Sequence, residues 1–272
     1  PNRTSKPIAE VLNEVSSLVG QGIREVVLTG INLGTYEFGL ARLVEALSNA
    51  FCIPHSALVR VRLSSLEPRY VTDDFIAAAV ASELVCPHFH LCLQSGSDTV
   101  LTRMARGYTT ADFADLVFRF RQAYAAIGKE VSFSTDLIVG FPGESDLEFN
   151  ENLKFCKQIG FNKLHVFPYS IRSRTRAAKF TGHVPGVVKQ TRVQEALQLS
   201  EGMARQYGQS FLSKSVSALV DWVSDGRAVG YTPHYVRVQL NGVVTARPIL
   251  GSLVQVEVDT VHSDGTLSGL IK

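Results

Sequence analysis

The chain has 272 residues, of which 45% are hydrophobic and 19% charged, with a formal net charge of +2. This balance excludes an intrinsically disordered chain, and apolar runs such as 76–80 fall far short of the ~18 residues a membrane span needs, so no membrane partner is expected. Four cysteines (Cys52, Cys86, Cys92 and Cys156) lie far apart with no CxxC pair, which argues against a zinc ribbon or a disulfide scaffold. They are expected to be small packing residues rather than ligands, in a reducing, cytoplasmic setting, and no metal ligand is expected in the chain.

Ile8, Val11, Leu12, Val15, Leu18 and Val19 recur at helical spacing and predict a first helix. A β-rich run at 25–29 ends at Gly30. Helices are then expected at 40–47, 73–84, 112–127, 145–159 and 187–207, alternating with strands at 58–63, 88–93, 131–139 and 163–169. Such alternation predicts a partial parallel β/α barrel, in which helices cover the outside of the sheet. After Gln209 the pattern changes to short runs at 215–223, 227–231, 235–240, 251–261 and 266–271. The turn signals Ser224-Asp225-Gly226, Asn241-Gly242 and Ser263-Asp264-Gly265 separate several of them. This second region predicts a small antiparallel β-barrel of the kind that binds oligonucleotides. The expected domains are 1–209 and 210–272.

In parallel β/α arrays, ligand-binding residues collect where the strands end. Here those ends read Thr29-Gly30-Ile31-Asn32-Leu33-Gly34, Ser64-Ser65-Leu66-Glu67-Pro68, Gln94-Ser95-Gly96-Ser97-Asp98, Asp136 to Glu144, and Tyr169-Ser170-Ile171-Arg172. All five are rich in small and polar residues, which let a ligand approach the backbone and orient it. Ser97 is also placed to cap a following helix. His88 and His90 share one strand face and are expected to serve the core.

Charge is unevenly spread. From 152 to 194 there is no acidic residue, against nine basic ones: Lys154, Lys157, Lys163, Arg172, Arg174, Arg176, Lys179, Lys189 and Arg192. The block is a candidate polyanion surface. Arg172, Arg174 and Arg176 alternate, so an extended backbone would set them on one face toward phosphates, with Lys179 nearby. The second barrel is charge-balanced, and Tyr231, Tyr235 and Arg237 are its candidate RNA contacts. Trp222 is expected in its core.

Thr29 to Gly34, Arg62 to Pro68, Leu93 to Ser97 with Arg103 to Tyr108, and Thr135 to Glu144 together resemble the radical S-adenosylmethionine methylthiotransferases. The wording of the first two segments resembles the branch acting on threonylcarbamoyladenosine in tRNA. The stretch Val229 to Val238 resembles the TRAM domain, an RNA-binding module, so tRNA is the implied partner. The resemblance implies S-adenosylmethionine as cofactor. Thr29, Gly30 and Asn32 would lie near its amino group, Ser65 and Glu67 near its carboxylate or ribose, and Gln94 and Ser97 on the same wall. Asp136, Ile138 and Gly140 would back the adenine, and Phe167 would meet its edge. The family has a glycine where Arg174 stands.

The resemblance also implies a [4Fe–4S] cluster held by a CxxxCxxC loop, and this sequence has no such motif. In the family that loop follows the first barrel strand, immediately before a segment resembling Asn2 to Pro7, and a domain with a second cluster precedes it. Five barrel strands are visible where the family has six. The chain is therefore expected to be a C-terminal portion of a longer enzyme, with the cluster ligands elsewhere, and inactive alone. That enzyme would methylthiolate C2 of N6-threonylcarbamoyladenosine at tRNA position 37; no catalytic residue is singled out here. The alternative is a cluster-less tRNA-binding module.

Overall fold

The computed structural model describes residues 4–52, 58–224, 227–241 and 250–272. The expected turns at Ser224-Asp225-Gly226 and Asn241-Gly242 fall partly outside these residues. Strands β1 (Glu25–Leu28), β2 (Arg60–Leu63), β3 (His88–His90), β4 (Ser132–Val139) and β5 (Lys163–Pro168) run parallel. Single bridges, Val61 to Val85 and Leu66 to Leu91, join β2 to the β3 region, so the five strands neighbour one another in chain order. Among the described residues, β1 and β5 are the edges of this array.

Among the described residues, seven α-helices accompany the strands: α1 (Ile8–Gly20), α2 (Leu40–Phe51), α3 (Asp73–Ala81), α4 (Asp98–Arg103), α5 (Thr110–Ala125), α6 (Asp146–Ile159) and α7 (Gly186–Gln209). Capping boxes start α5 (Thr109 with Asp112) and α6 (Ser145 with Glu148), and Gly160 ends α6 in the left-handed conformation. The outward faces of the strands bury Phe89, Leu91, Leu93 and Phe133 against Phe75, Phe113 and Phe120 of the helices. Phe89 and Phe120 meet at a ring separation of 4.5 Å. None of the described helices is long and apolar enough to cross a membrane.

Two boundaries differ from expectation for local reasons. Helix α3 stops at Ala81 because the Ser82 hydroxyl accepts the N–H groups of Leu84 and Val85. Regular pairing of β3 stops at His90 because Thr135 inserts its hydroxyl into the ladder. It donates to the Leu91 carbonyl and accepts the Leu93 N–H.

The carboxyl-terminal part forms a closed five-stranded barrel of β6 (Ser215–Ser224), β7 (Arg227–Tyr231), β8 (Arg237–Asn241), β9 (Leu253–Val261) and β10 (Leu267–Ile271). It is not wholly antiparallel, as expected from the turns: β10 pairs parallel to β8, which closes the ring. A register shift between Val220 and Trp222 breaks the inward alternation of Val216, Ala218 and Val220. Trp222 therefore turns outward and is 49% exposed, contrary to its expected place in the core.

This barrel seats on the amino-terminal ends of the parallel strands. Arg60 donates to the Tyr231 carbonyl (2.8 Å) and to the carbonyl and hydroxyl of Ser217 (both 3.1 Å). Arg62 donates to the carbonyls of Thr232 (2.8 Å) and Pro233 (3.1 Å) and pairs with Glu25 at 2.9 Å. Ser132 and Asn162 both donate to the His234 carbonyl. Both arginines are buried. Replacing Arg62 by Ala would leave two carbonyls unpaired and Glu25 with only the longer 3.7 Å pair to Arg60, at a cost of ~3–5 kcal/mol. Calorimetric melting is expected to show the barrel transition separating from that of the first domain.

Burial, together with the neighbouring arginines, holds the pKa of His234 below the ordinary histidine range, and burial does the same for His88 more strongly. Each is neutral when folded, whereas an unfolded histidine takes up a proton below about pH 6.5. Acidification thus adds protons to the unfolded chain first, so stability falls as pH drops below that value. Melting temperatures between pH 7.5 and 5 should show this decline, and His234→Gln should flatten it.

Candidate functional site

The opposite, carboxyl-terminal ends of the five strands gather the predicted polar loops. Beyond β1, Thr29 and Gly30 are exposed and Asn32 is half-buried, with its side-chain oxygen buried and without a partner. The Ser64 N–H extends the β1–β2 ladder to Leu28, and the Ser64 hydroxyl is likewise buried and unpartnered. Two adjacent orphaned polar groups at strand ends are a feature of a ligand wall, since each costs ~1–3 kcal/mol until it is paired. Ser65 is exposed. Glu67 is half-buried and paired to Arg69 at 2.9 Å.

Gln94 has φ +68°, in the left-handed region that a non-glycine residue rarely adopts. Its backbone is fixed on both sides: its N–H donates to the Asp136 carbonyl and its carbonyl accepts the Ile138 N–H. Strain retained in this way fits a site in which a side-chain direction matters. The next residues clamp the loop to α6. Gly96 donates to Asn152, and a Cβ there would lie 2.8 Å from Phe155. Ser97 is 1% exposed and donates to Glu151. Its hydroxyl is thus committed to the loop, not to the wall expected from the sequence, and it makes no cap bond to α4 either. Tyr108 donates to the carbonyls of Cys92 and Leu93 and so braces the same strand end.

On β4, Ile138 is half-buried beside Phe167 of β5, which is 51% exposed. Gly140 has φ +72°, and a Cβ there would lie 2.2 Å from Cγ of Lys189. The space that the glycine leaves is filled by the lysine stem, not open to a flat ring as the resemblance implied. Glu144 accepts the Gly140 N–H and pairs with Arg192 at 2.7 Å; its side chain is fully buried, and this burial raises its pKa. Asp136 lies one layer deeper than the wall, where its Oδ1 approaches His90 Nε2 to 3.3 Å. That imidazole holds the Asp136 carboxyl below the ordinary carboxylate range.

The basic segment joins this mouth. Phe180 packs on Phe141, His183 stacks on Tyr169, and the Gly143 N–H donates to Gly182. Arg172, Arg174, Arg176 and Lys179 are all exposed. They do not alternate on an extended strand: Thr175 closes a turn onto the Arg172 carbonyl, and Arg176 opens a short 3-10 helix. Two of the nine basic residues are internal fasteners rather than surface charge. Arg192 is buried between Glu144 and Asp146, and Lys189 donates to the Tyr169 carbonyl.

Tyr231 and Tyr235 lie at the domain junction. They stack on each other at 5.0 Å, and Tyr235 also stacks on His88 and lies under Arg62. Arg237 is exposed on the barrel. Sequence reasoning missed Arg60 and Arg62; two arginines alternating within an otherwise apolar strand were the available signal.

The model for the Radical SAM superfamily matches residues 1–156. The chain is 36% identical over 270 residues to threonylcarbamoyladenosine tRNA methylthiotransferase MtaB of Chlamydia pneumoniae, covering 98% of this chain and 62% of that protein. It is 32% identical over 265 residues to tRNA-2-methylthio-N(6)-dimethylallyladenosine synthase of Acetivibrio thermocellus, covering 95% and 53%. The chain thus spans somewhat over half the length of these relatives. Among solved structures, coproporphyrinogen III oxidase (HemN) from Escherichia coli aligns with a TM-score of 0.52 at 14% identity, covering 94% of this chain and 62% of that one, a likeness of fold. With the family model matching more than half of its residues, and with the parallel β/α array and polar strand ends in place, the chain belongs to the Radical SAM superfamily.

Proposed function

We infer that this chain is a portion of a tRNA methylthiotransferase that acts on C2 of N6-threonylcarbamoyladenosine at tRNA position 37. The observation that carries the reading is the attachment of the arginine-bearing loop 171–184 to the same turn, 140–143, that ends the central strand of the candidate cofactor wall. A polyanion gripped by that loop would bring a base to the mouth of the strand array. The similarity to relatives named as tRNA methylthiotransferases supports the substrate class.

The residues fit S-adenosylmethionine. The orphaned oxygens of Asn32 and Ser64 can accept from an ammonium, and Gln94 and Glu67 line the same wall. When bound with a reduced cluster, that cofactor supplies one-electron chemistry. The residues do not fit the [4Fe–4S] cluster: Cys52 is exposed, Cys86 and Cys156 are buried in packing, and among the described residues only Cys92 shares a site with other potential ligands. The role of this chain is therefore to orient the cofactor and to hold RNA. The scattered cysteines also favour the second reading, a tRNA-binding module without catalysis, which S-adenosylmethionine binding would exclude.

In the cluster-loaded full-length enzyme, Asn32→Ala, Glu67→Ala and Gln94→Ala should each weaken S-adenosylmethionine binding by ~1.5–3 kcal/mol, roughly 10- to 150-fold. Unchanged calorimetric affinity in all three would refute the assigned wall.

The chain itself should bind tRNA with a steep dependence on salt. Replacing Arg172, Arg174 and Arg176 by Ala should reduce the log–log slope by about two to three, as each phosphate contact contributes roughly 0.7–0.9. Filter binding at several salt concentrations reads this directly. Trp222→Ala should lower affinity without altering the slope, since stacking releases no counterions.

A further inference from the structure

The lumen side of the parallel strands carries a cluster that the cofactor wall does not use. Residues alternate along β3 and its extension, so His88, His90 and Cys92 face inward while Phe89, Leu91 and Leu93 face the helices. Ser134 and Asp136 of β4 face them across the ladder. One donor atom each from His90, Cys92 and Asp136 lies within 4.8 Å of the others.

Three features distinguish this cluster from an ordinary ion pair. His90 Nε2 and Asp136 Oδ1 are 3.3 Å apart, yet Nε2 is buried with no aligned hydrogen-bond partner. The two atoms lie close together without an aligned hydrogen bond between them. A separation of about 3.3 Å is what two ligands ~2.0–2.1 Å from a tetrahedral zinc ion would have. The other ring nitrogen, His90 Nδ1, is held by Ser134 Oγ at 3.0 Å, and that oxygen is also bonded to His88 Nε2 at 3.0 Å. An imidazole fixed from behind in this way is the usual support of a metal-bound histidine. His90 and Asp136 sit on the paired strands β3 and β4, and beyond β3 the backbone of Cys92 is held by the bonds from Cys92 N–H to Leu66 and from Gln94 N–H to Asp136.

We propose that His90, Cys92 and Asp136 form a mononuclear site for a divalent transition-metal ion, with zinc the best match, leaving a fourth position open to the lumen. This reverses the expectation that Cys92 only packs. It does not depend on the proposed methylthiotransferase reading, because no S-adenosylmethionine or RNA takes part. The charges balance: the Cys92 thiol gives its proton to solvent as the metal–sulfur bond forms, and the Asp136 carboxylate supplies the second negative charge. One thiolate and one carboxylate then neutralise the dication inside a low-dielectric lumen. Imidazole, thiolate and carboxylate together suit zinc or cobalt better than magnesium or calcium, which take all-oxygen sets.

Cobalt(II) titrated into the whole chain, free of other metals and with thiols reduced, provides the test. One equivalent should bind with a thiolate-to-cobalt charge-transfer band, and zinc should displace it. Addition of zinc to weakly buffered chain should release one proton. Cys92→Ser should abolish the band, while Cys52→Ser should retain it. Ser134→Ala should weaken binding by ~10- to 100-fold, the usual effect of losing an outer support. The absence of saturable uptake and of proton release by the folded wild-type chain would overturn the proposal. So would a charge-transfer band that survives Cys92→Ser, with folding checked by circular dichroism.

Discussion

The arrangement of this molecule depends on two buried guanidinium groups. Arg60 and Arg62 leave β2 at its amino-terminal end, share Glu25 between them and together bond the carbonyls of Ser217, Tyr231, Thr232 and Pro233. A guanidinium suits this position because its planar fork can satisfy several carbonyls while its charge is met by one carboxylate. Apart from the Ser217 hydroxyl, the bonds to the small barrel go to backbone carbonyls, so the attachment specifies the path of the 231–234 turn. Tyr235, at φ +61°, completes that turn and lays its ring against His88. With the small barrel fixed at the amino ends, the carboxyl ends are left for the polar loops.

Within the first domain, the two faces of each strand do different work. The outward face is aromatic and aliphatic, and it interlocks with the helices through Phe75, Phe89, Phe113, Phe120 and Phe133. The inward face is unusually polar, with Arg62, His88, His90, Cys92, Gln94, Ser134, Asp136 and His165. Burial lowers the pKa of His165, as it does that of His88. Polar groups in such a place cost stability unless each has a partner, and the chains of hydrogen bonds through Ser134 and Thr135 supply many of them. Among the described residues, the buried polar atoms left without a partner include those of Asn32, Ser64 and His90 at the lumen and its mouth, and others at the barrel junction, such as Asn162 and Tyr207.

Much of this was legible in the sequence. Helical and strand periods located the five parallel strands, the strands of the small barrel and six of the seven described helices; the short α4 (Asp98–Arg103) carries too few turns to show a period. The polar strand ends were legible too, since a parallel array sends them all to one side. What escaped was decided by single tertiary contacts. Trp222 follows the inward alternation of β6 until a register shift turns it out. Ser97 reads as a wall residue until Glu151, 54 positions away, takes its hydroxyl. Arg192 and Lys189 read as surface charge until α7 brings them onto Glu144 and the Tyr169 carbonyl. Charge counts along a chain carry no information on which charges the fold will consume internally.

The 24 residues of helix α7 span about 36 Å at 1.5 Å per residue. Near its start, Lys189 lies across Gly140 and Arg192 grips Glu144; at its middle, Ser200 accepts the Leu164 N–H of β5; at its end, Tyr207 packs on Phe211 and His234 at the junction. The helix therefore joins the two ends of the parallel strand array along its length. The barrel junction, strand β5 and the Gly140 turn thus all share one continuous helix as a common support.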